Sequence, residues 1–237
     1  MKSNLKILSL SAFFTAGILS HAFAQQNEEP TISVQISALA LDRDISELKL
    51  LSGESVEELD IFTSARSRVI SYSGPQRLTF FREHESDQTE EGVIRQPVAS
   101  VVLSEQHPRY LLFFLRRSGS EERYSIVALP DDVTTFRPGS FRFVNLSPHR
   151  IAIRVGEESR TLNERDFTDV SGNFEHGNHY QALFVSLPEG RDPVLSYSGR
   201  IFFNRIMRML YVIFPGDSGE EGSIRFRAIP DAIRDSS

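Results

Sequence analysis

Two imidazoles and a carboxylate lie close together in the sequence, at Glu175, His176 and His179. Imidazole nitrogens and carboxylate oxygens are ligands that zinc accepts, but a closed zinc site needs four of them at tetrahedral geometry. No fourth ligand is visible nearby, and the Gly177-Asn178 dipeptide between the two histidines favours a turn. We therefore predict a solvated loop and no cofactor. An envelope hydrolase or a metal-dependent enzyme that uses this loop is the alternative.

A second candidate site consists of arginines that alternate with apolar residues on predicted strands. Because successive side chains of a strand point to opposite faces, the pattern predicts arginine on the solvent face and Phe or Ile on the core face. Neighbouring strands would then carry an arginine ladder that could grip carboxylates or phosphates. The simpler interpretation is outward arginines paired with nearby glutamates. The four candidate ligand-binding residues are Arg142, Arg154, Arg225 and Arg227.

A third pattern, Gly216-Asp217-Ser218-Gly219, resembles the nucleophile motif of chymotrypsin-like serine proteases. The resemblance covers four residues and departs at Glu220, where that family has a second glycine. The first half of the chain has Arg116-Arg117-Ser118-Gly119 in the same place, without the aspartate. We therefore predict a polar hairpin turn in both halves and no catalytic residue.

The second half of the chain repeats the first at an offset of 100 residues. The match runs without a gap across the last two predicted strands of each half. Residues 111–114 correspond to 211–214, and the segment 118–131 corresponds to 218–231 with six identities. A repeat of this length indicates a tandem of two similar modules.

The N-terminus has the three regions of a secretory signal peptide. Lys2 and Lys6 are basic, residues 7–19 are apolar, and Ala22-Phe23-Ala24 forms a cleavage site before Gln25. The apolar stretch is shorter than the ~20 residues that span a bilayer, so no transmembrane segment is expected after signal removal. The chain has no cysteine, which excludes a disulfide framework.

The charge balance excludes several classes of partner and of mechanism. The whole chain carries a net charge of −6, and without the two signal lysines the balance is 24 basic against 32 acidic residues, or −8. An acidic chain of this kind repels nucleic acid as a whole. Lys49 is the only lysine beyond the signal, which removes mechanisms that need a lysine elsewhere.

The body of the chain reads as short apolar or alternating runs broken by Ser, Gly, Pro and Asp, which is typical of an all-β protein. We predict two tandem antiparallel β-sandwich modules of the immunoglobulin-like kind, with no long helix. Residues 83–91 form an acidic insert that we interpret as a loop. The predicted organisation is signal peptide 1–24, disordered N-terminus 25–30, module 1 at 31–131, linker 132–139, module 2 at 140–233 and tail 234–237.

Two resemblances agree with this plan. Residues 141–148, followed by 151–155 and a Gly-Glu turn, resemble the opening hairpin of uncharacterised β-sandwich repeats in exported bacterial proteins. This resemblance implies an exported β-sandwich. The two-module plan is similar to that of periplasmic pilus chaperones, whose first strand resembles residues 40–43. Those chaperones anchor a client with an Arg and a Lys. Arg43 matches the first, and no lysine after Lys49 matches the second.

We therefore expect a periplasmic or secreted protein that binds or scaffolds without catalysis. Its partner would be an envelope protein or an anionic polymer. A periplasmic chaperone-like role is a further alternative.

Overall fold

The computed structural model describes residues 30–87, 92–117, 119, 123–216 and 220–232. These residues form sixteen β-strands, and no helix occurs among them. In the described part of the chain, therefore, no helix is long and apolar enough to cross a membrane. The predicted signal peptide 1–24 and tail 234–237 lie outside the described residues, as do three residues of the protease-like motif, 217–219.

Each module contributes eight strands. Module 1 contains β1 (Thr31–Ala40), β2 (Ile45–Ser52), β3 (Ser55–Ile61), β4 (Ile70–Pro75), β5 (Arg77–Glu85), β6 (Val93–Val102), β7 (Arg109–Arg116) and β8 (Tyr124–Pro130). Module 2 contains β9 (Phe141–Asn145), β10 (Arg150–Val155), β11 (Glu158–Leu162), β12 (Phe167–Val170), β13 (His179–Leu187), β14 (Val194–Phe202), β15 (Met207–Pro215) and β16 (Ile224–Ala232).

The two modules have the same topology. In module 1, inner sheet 1 has the order β4-β1-β7-β8 and outer sheet 1 the order β3-β2-β5-β6. In module 2, inner sheet 2 has the order β12-β9-β15-β16 and outer sheet 2 the order β11-β10-β13-β14, so every strand number rises by eight. The predicted all-β fold with two tandem immunoglobulin-like sandwiches is confirmed.

The pairing is not wholly antiparallel, which corrects one detail of the prediction. Strand β1 runs antiparallel to β4 but parallel to β7, and β9 runs parallel to β15. The reason is geometric: β4 and β7 run in opposite directions, so a strand placed between them must lie parallel to one of the two.

The four sheets are stacked in the order outer 1, inner 1, inner 2, outer 2, with an apolar core in each of the three gaps. The first core fills sandwich 1 and the second fills sandwich 2. A third core joins the two inner sheets and contains the buried residues Leu39, Leu41, Leu111, Phe113, Leu129, Phe136, Val144, Leu146, Leu210, Val212, Phe214 and Ile229. Burying one such side chain contributes about 1.5–3 kcal/mol. The contact between modules is therefore a third hydrophobic core.

The sequence of β7 does not alternate because both faces of this strand are buried. Leu112 and Phe114 point into the core of sandwich 1, whereas Leu111 and Phe113 point into the core between the modules. All four are at most 1% exposed. The apolar run 111–115 predicts a strand that is covered on both sides or lies against the other module, and the structure confirms this.

The repeat is shifted by one residue relative to the gapless match. Pro130 on β8 pairs with Tyr110, but its counterpart Pro230 on β16 pairs with Met209. Strands β8 and β16 are thus offset by 100 residues and β7 and β15 by 99, because the connection between β15 and β16 holds one more residue. With this shift Leu210 becomes the counterpart of Leu111, and both lie in the core between the modules.

The predicted linker 132–139 forms a folded turn. The Asp132 carboxylate accepts hydrogen bonds from the backbone N–H groups of Thr134 and Thr135, both at 3.0 Å, and from both threonine hydroxyls. Burial alone would raise the pKa of Asp132, but these hydrogen bonds outweigh it and lower the pKa to about 2. The turn places Phe136, which is 0% exposed, in the core between the modules.

Two strands of module 2 differ from what the sequence pattern predicts. The pattern predicts no strand where β12 lies, and it predicts two strands, at about 193–198 and 200–204, where β14 is a single strand. The acidic insert 83–91 is only partly a loop, since Glu83–Glu85 belong to β5, and residues 88–91 lie outside the described residues. The sequence also allows short helices at 44–47 and 161–165, but the structure has a strand from Ile45 onward and a turn after Leu162.

Candidate binding surface

The predicted metal-binding residues do not converge on a common point. They lie in the segment that connects inner sheet 2 with outer sheet 2. His176 Nδ1 accepts a hydrogen bond from the Arg205 backbone at 3.4 Å, and the His179 ring lies 5.2 Å from that of Phe202. Glu175 accepts a hydrogen bond from the side chain of Asn178. In the described parts of the chain, no group of three or more His, Cys, Asp or Glu side chains could hold a metal ion.

Arg142 is buried, which contradicts the solvent-face prediction for this residue. It is 2% exposed because its face of inner sheet 2 meets module 1 and the linker. Its guanidinium donates two hydrogen bonds to Asp169, at 2.6 and 2.7 Å, and one to the carbonyl oxygen of Pro130. It also lies 4.4 Å from the centroid of the Phe136 ring. Arg142 therefore holds the linker and β12 together.

Arg208 makes a second set of contacts at the same junction. It is 1% exposed and donates to Asp231 at 2.8 Å and to the carbonyl oxygens of Asp131 and Phe136 at 2.9 and 3.1 Å. Its guanidinium lies 4.9 Å from the Phe136 centroid. The Asp131 carboxylate in turn pairs with Arg66 of module 1. A network of paired charges therefore spans the two modules.

Arg225 and Arg227 lie on β16, away from Arg154. Arg227 donates to the carbonyl oxygen of Thr63 in module 1 and sits next to the carbonyl oxygens of Ala40 and Leu41, so it bridges the modules. Arg225 is exposed and lies 5.0 Å from the centroid of the Phe214 ring. The four predicted arginines therefore occupy three different environments. Arg154 alone lies on outer sheet 2.

The solvent-facing side of outer sheet 2 brings Arg154 together with two arginines that the sequence pattern did not single out. On β10, Ile151, Ile153 and Val155 point into the core, so the intervening residues point outward. The same alternation applies to β13 and β14. We call the resulting surface the arginine face. Its outward residues on these three strands include Arg150, Ala152, Arg154, Gln181, Leu183, Val185, Leu187, Leu195, Ser198, Arg200 and Phe202.

The centre of the arginine face is apolar and follows the strand register. Ala152 pairs with Val185, which pairs with Leu195, so one apolar row crosses three strands. Leu195 is 60% exposed. A shallow depression of about 360 Å³ lies over Ala152 and its neighbours. Phe202, which is 44% exposed, lies at the other end of β14 beside His179. Exposed apolar side chains that are grouped on one face are typical of an interaction surface.

The arginines surround this centre without partners of opposite charge. Arg154 pairs in register with Leu183, whereas Arg200 lies two strands away beside Gln181. From the usual spacings in a sheet, the two arginines are roughly 12 Å apart. Neither they nor Arg150 form an ion pair or a side-chain hydrogen bond with another described residue.

Strands β10, β13 and β14 contain no Asp or Glu. In a chain with more acidic than basic residues this absence is a local reversal of charge. The sequence carried this signal, because three strands without a carboxylate can be read directly, but the position of Arg150 and Arg200 beside Arg154 requires the pairing of the strands. The arginine face can therefore attract carboxylates electrostatically while its apolar centre buries a partner's side chains.

On the equivalent face of module 1, two cations are paired with a carboxylate of the same sheet. On the outer side of outer sheet 1, Lys49 donates to Glu83 at 2.7 Å and Arg95 donates to the same carboxylate at 3.2 Å. The hydrogen bond with Lys49 lowers the pKa of Glu83, and the same bond raises the pKa of Lys49. The Arg95 guanidinium lies over Phe81, which is only 4% exposed. Lys49 and Arg95 therefore already have a partner within the chain.

Comparisons with known proteins give the following result. No protein-family model and no curated protein matches the chain. Among solved structures, a "putative cell adhesion protein" from Parabacteroides distasonis has 9% identity and a TM-score of 0.21, over 86% of this chain and 97% of that chain. A second "putative cell adhesion protein", from Bacteroides uniformis, has 10% identity and a TM-score of 0.20, over 85% and 97% of the two chains. At TM-scores this low, the likeness carries no argument about function.

Proposed function

We propose that this chain is an exported, non-catalytic binding or scaffolding protein of the bacterial envelope, and that it binds through the arginine face. The observation that carries the proposal is the set of three exposed arginines without partners, on strands that contain no carboxylate. The arginines surround an apolar centre that includes Leu195, which is 60% exposed.

The ligand class that fits this surface is an acidic protein surface. A guanidinium binds a carboxylate through two parallel hydrogen bonds, which fixes orientation as well as charge. The row of Ala152, Val185 and Leu195 would bury apolar side chains of the partner. An acidic protein offers both carboxylates and apolar side chains, whereas a hydrophilic polyanion offers only the charge.

Export is supported by the order of basic, apolar and small residues at the N-terminus. The expected mature N-terminus is Gln25. Mass spectrometry of the protein recovered from the envelope fraction or the medium measures it directly, and intact Met1 in that material would contradict export with cleavage.

The contribution of the arginines to binding is tested with poly-L-glutamate, a defined probe that offers carboxylates without apolar side chains, titrated at low and high ionic strength. The arginine variant replaces Arg150, Arg154 and Arg200 with glutamine. A matched control variant replaces Arg116, Arg137 and Arg165 with glutamine; all three are exposed and lie on β7, in the linker and in the connection between β11 and β12. Both variants lose three positive charges, so a difference between them reports position and not net charge.

The wild type and the control variant should bind the probe with an affinity that falls as salt rises, because exposed charge pairs are screened. The arginine variant should lose at least about tenfold in affinity, the size expected from one or two kcal/mol of lost charged hydrogen bonds. Equal affinities of the arginine and control variants would contradict the proposed site.

A further inference from the structure

The two ends of the four-sheet stack carry opposite charge. Excluding histidine, the strands of outer sheet 2 contain four basic residues and one acidic residue, or +3, whereas those of outer sheet 1 contain four basic and six acidic residues, or −2. The outer sheet 2 charges are Arg150, Arg154, Arg160, Arg200 and Glu158. The outer sheet 1 charges are Lys49, Arg77, Arg82, Arg95, Glu47, Glu57, Glu58, Asp60, Glu83 and Glu85.

We infer that the acidic partner of the arginine face is outer sheet 1 of a second copy of this chain. This inference rests on the proposed function, since it names the partner of the same surface. It predicts that the copies associate head to tail, with module 2 of one copy on module 1 of the next.

Outer sheet 1 offers both features that the arginine face requires. Glu47, Glu58 and Glu85 are exposed, and their side chains form no ion pair or hydrogen bond with another described residue. Leu51 and Val56 are cross-strand partners on the same sheet and are 43% and 41% exposed. Glu47 and Glu58 also attract Lys49, but without forming an ion pair with it. Exposed carboxylates beside an apolar pair complement unpaired arginines beside an apolar row.

The fold already contains a contact of the same type. The two inner sheets, which are topologically equivalent, pack on each other through the apolar core between the modules. A head-to-tail contact between outer sheets would continue the stack in both directions. Because the two surfaces differ, the contact is heterologous and produces an open chain of copies. Pairing of two arginine faces would bring six arginines together and is disfavoured by charge repulsion.

The test is sedimentation velocity of the mature chain at low ionic strength over a range of concentrations. The arginine variant blocks one surface, and a carboxylate variant with Glu47→Gln, Glu58→Gln and Glu85→Gln blocks the other. We expect the wild type and the control variant to form species larger than a dimer that dissociate in salt. Each surface variant alone should be a monomer, and an equal mixture of the two should form a one-to-one dimer, because only one contact remains possible.

Two results would overturn the inference. A wild type that stays monomeric at the highest soluble concentration contradicts it, and so does an assembly that persists in both surface variants. The poly-L-glutamate titration separates this failure from failure of the proposed function. If the wild type stays monomeric and still binds the probe through the arginine face, only the second copy is wrong as partner. If the wild type binds neither a second copy nor poly-L-glutamate, the arginine face is not a binding surface.

Discussion

The arginines at the junction between the modules and those on the arginine face are the same residue type in opposite environments. Arg142 and Arg208 are at most 2% exposed, and each has a carboxylate and backbone carbonyls as partners. Arg154 and Arg200 are exposed and have no charged partner among the described residues. Burial of a guanidinium is tolerated only with such partners. The paired arginines therefore stabilise the contact between modules, whereas the unpaired ones remain available to a ligand.

A large effect is expected when an arginine at the junction between the modules is removed. We expect Arg142→Ala to lower the free energy of unfolding by about 2–4 kcal/mol, because the half-buried Asp169 carboxylate and the carbonyl oxygens of Pro130 and Thr135 lose their donor. Denaturant unfolding measures the change, and Arg154→Ala is the matched control on the exposed surface. A loss below about 1 kcal/mol for Arg142→Ala would show that Asp169 is solvated after all.

The second prediction concerns the aromatic ring on which the two junction arginines lie. Phe136→Ala should lower the free energy of unfolding by up to about 3–5 kcal/mol, because burial is lost and a cavity forms in the core between the modules. Phe136→Leu keeps most of the volume and should cost less. If both changes leave unfolding unaltered, the linker turn does not hold the modules together.

A pH titration of stability examines the linker turn itself. The folded-state pKa of Asp132 is about 2, below its usual value of 3.8, so its ionised form is stabilised in the native state. The contribution of ionised Asp132 to the free energy of unfolding is present above pH ~4. It falls by up to about 2 kcal/mol as the pH drops towards 2. Asp132→Asn should lose stability at neutral pH and show a flatter dependence below pH 4. An unchanged acid limb in Asp132→Asn would contradict the assignment.

The smallest expected effect is at the arginine face. Arg154→Gln should change the free energy of unfolding by no more than about 0.5 kcal/mol, as is usual for a surface position without partners. Thermal or denaturant unfolding of this variant beside wild type measures it. A loss similar to that of Arg142→Ala would place Arg154 among the structural arginines.

The sequence predicted the fold better than it predicted the surface. Alternation on β16 and the unbroken apolar run of β7 were sufficient to predict strands and a doubly covered strand. The same alternation misplaced Arg142, because inner sheet 2 has a protein layer on both sides and outward positions there are not solvent positions. Sequence periodicity reports two faces of a strand but not what covers each of them.

Strand β12 shows a second limit of prediction from the sequence, namely pairs of residues that are distant in the chain. It has four residues and includes Asp169, a residue type that is depleted in strands. The aspartate is stable there because it lies directly opposite Arg142 on β9. That partner is 27 residues away in sequence, so local propensity could not predict the pair. The grouping of Arg150, Arg154 and Arg200 likewise depends on the register of three strands.

The central claim is that paired, buried arginines support the fold and unpaired, exposed arginines support binding. Measuring both the unfolding midpoint and the affinity for poly-L-glutamate in Arg142→Gln and Arg154→Gln tests it most directly. We expect Arg142→Gln to lower the midpoint and to leave the affinity of the folded protein unchanged, whereas Arg154→Gln should lower the affinity and leave the midpoint unchanged. If Arg154→Gln lowers the midpoint without weakening binding, the exposed arginines support the fold and not binding.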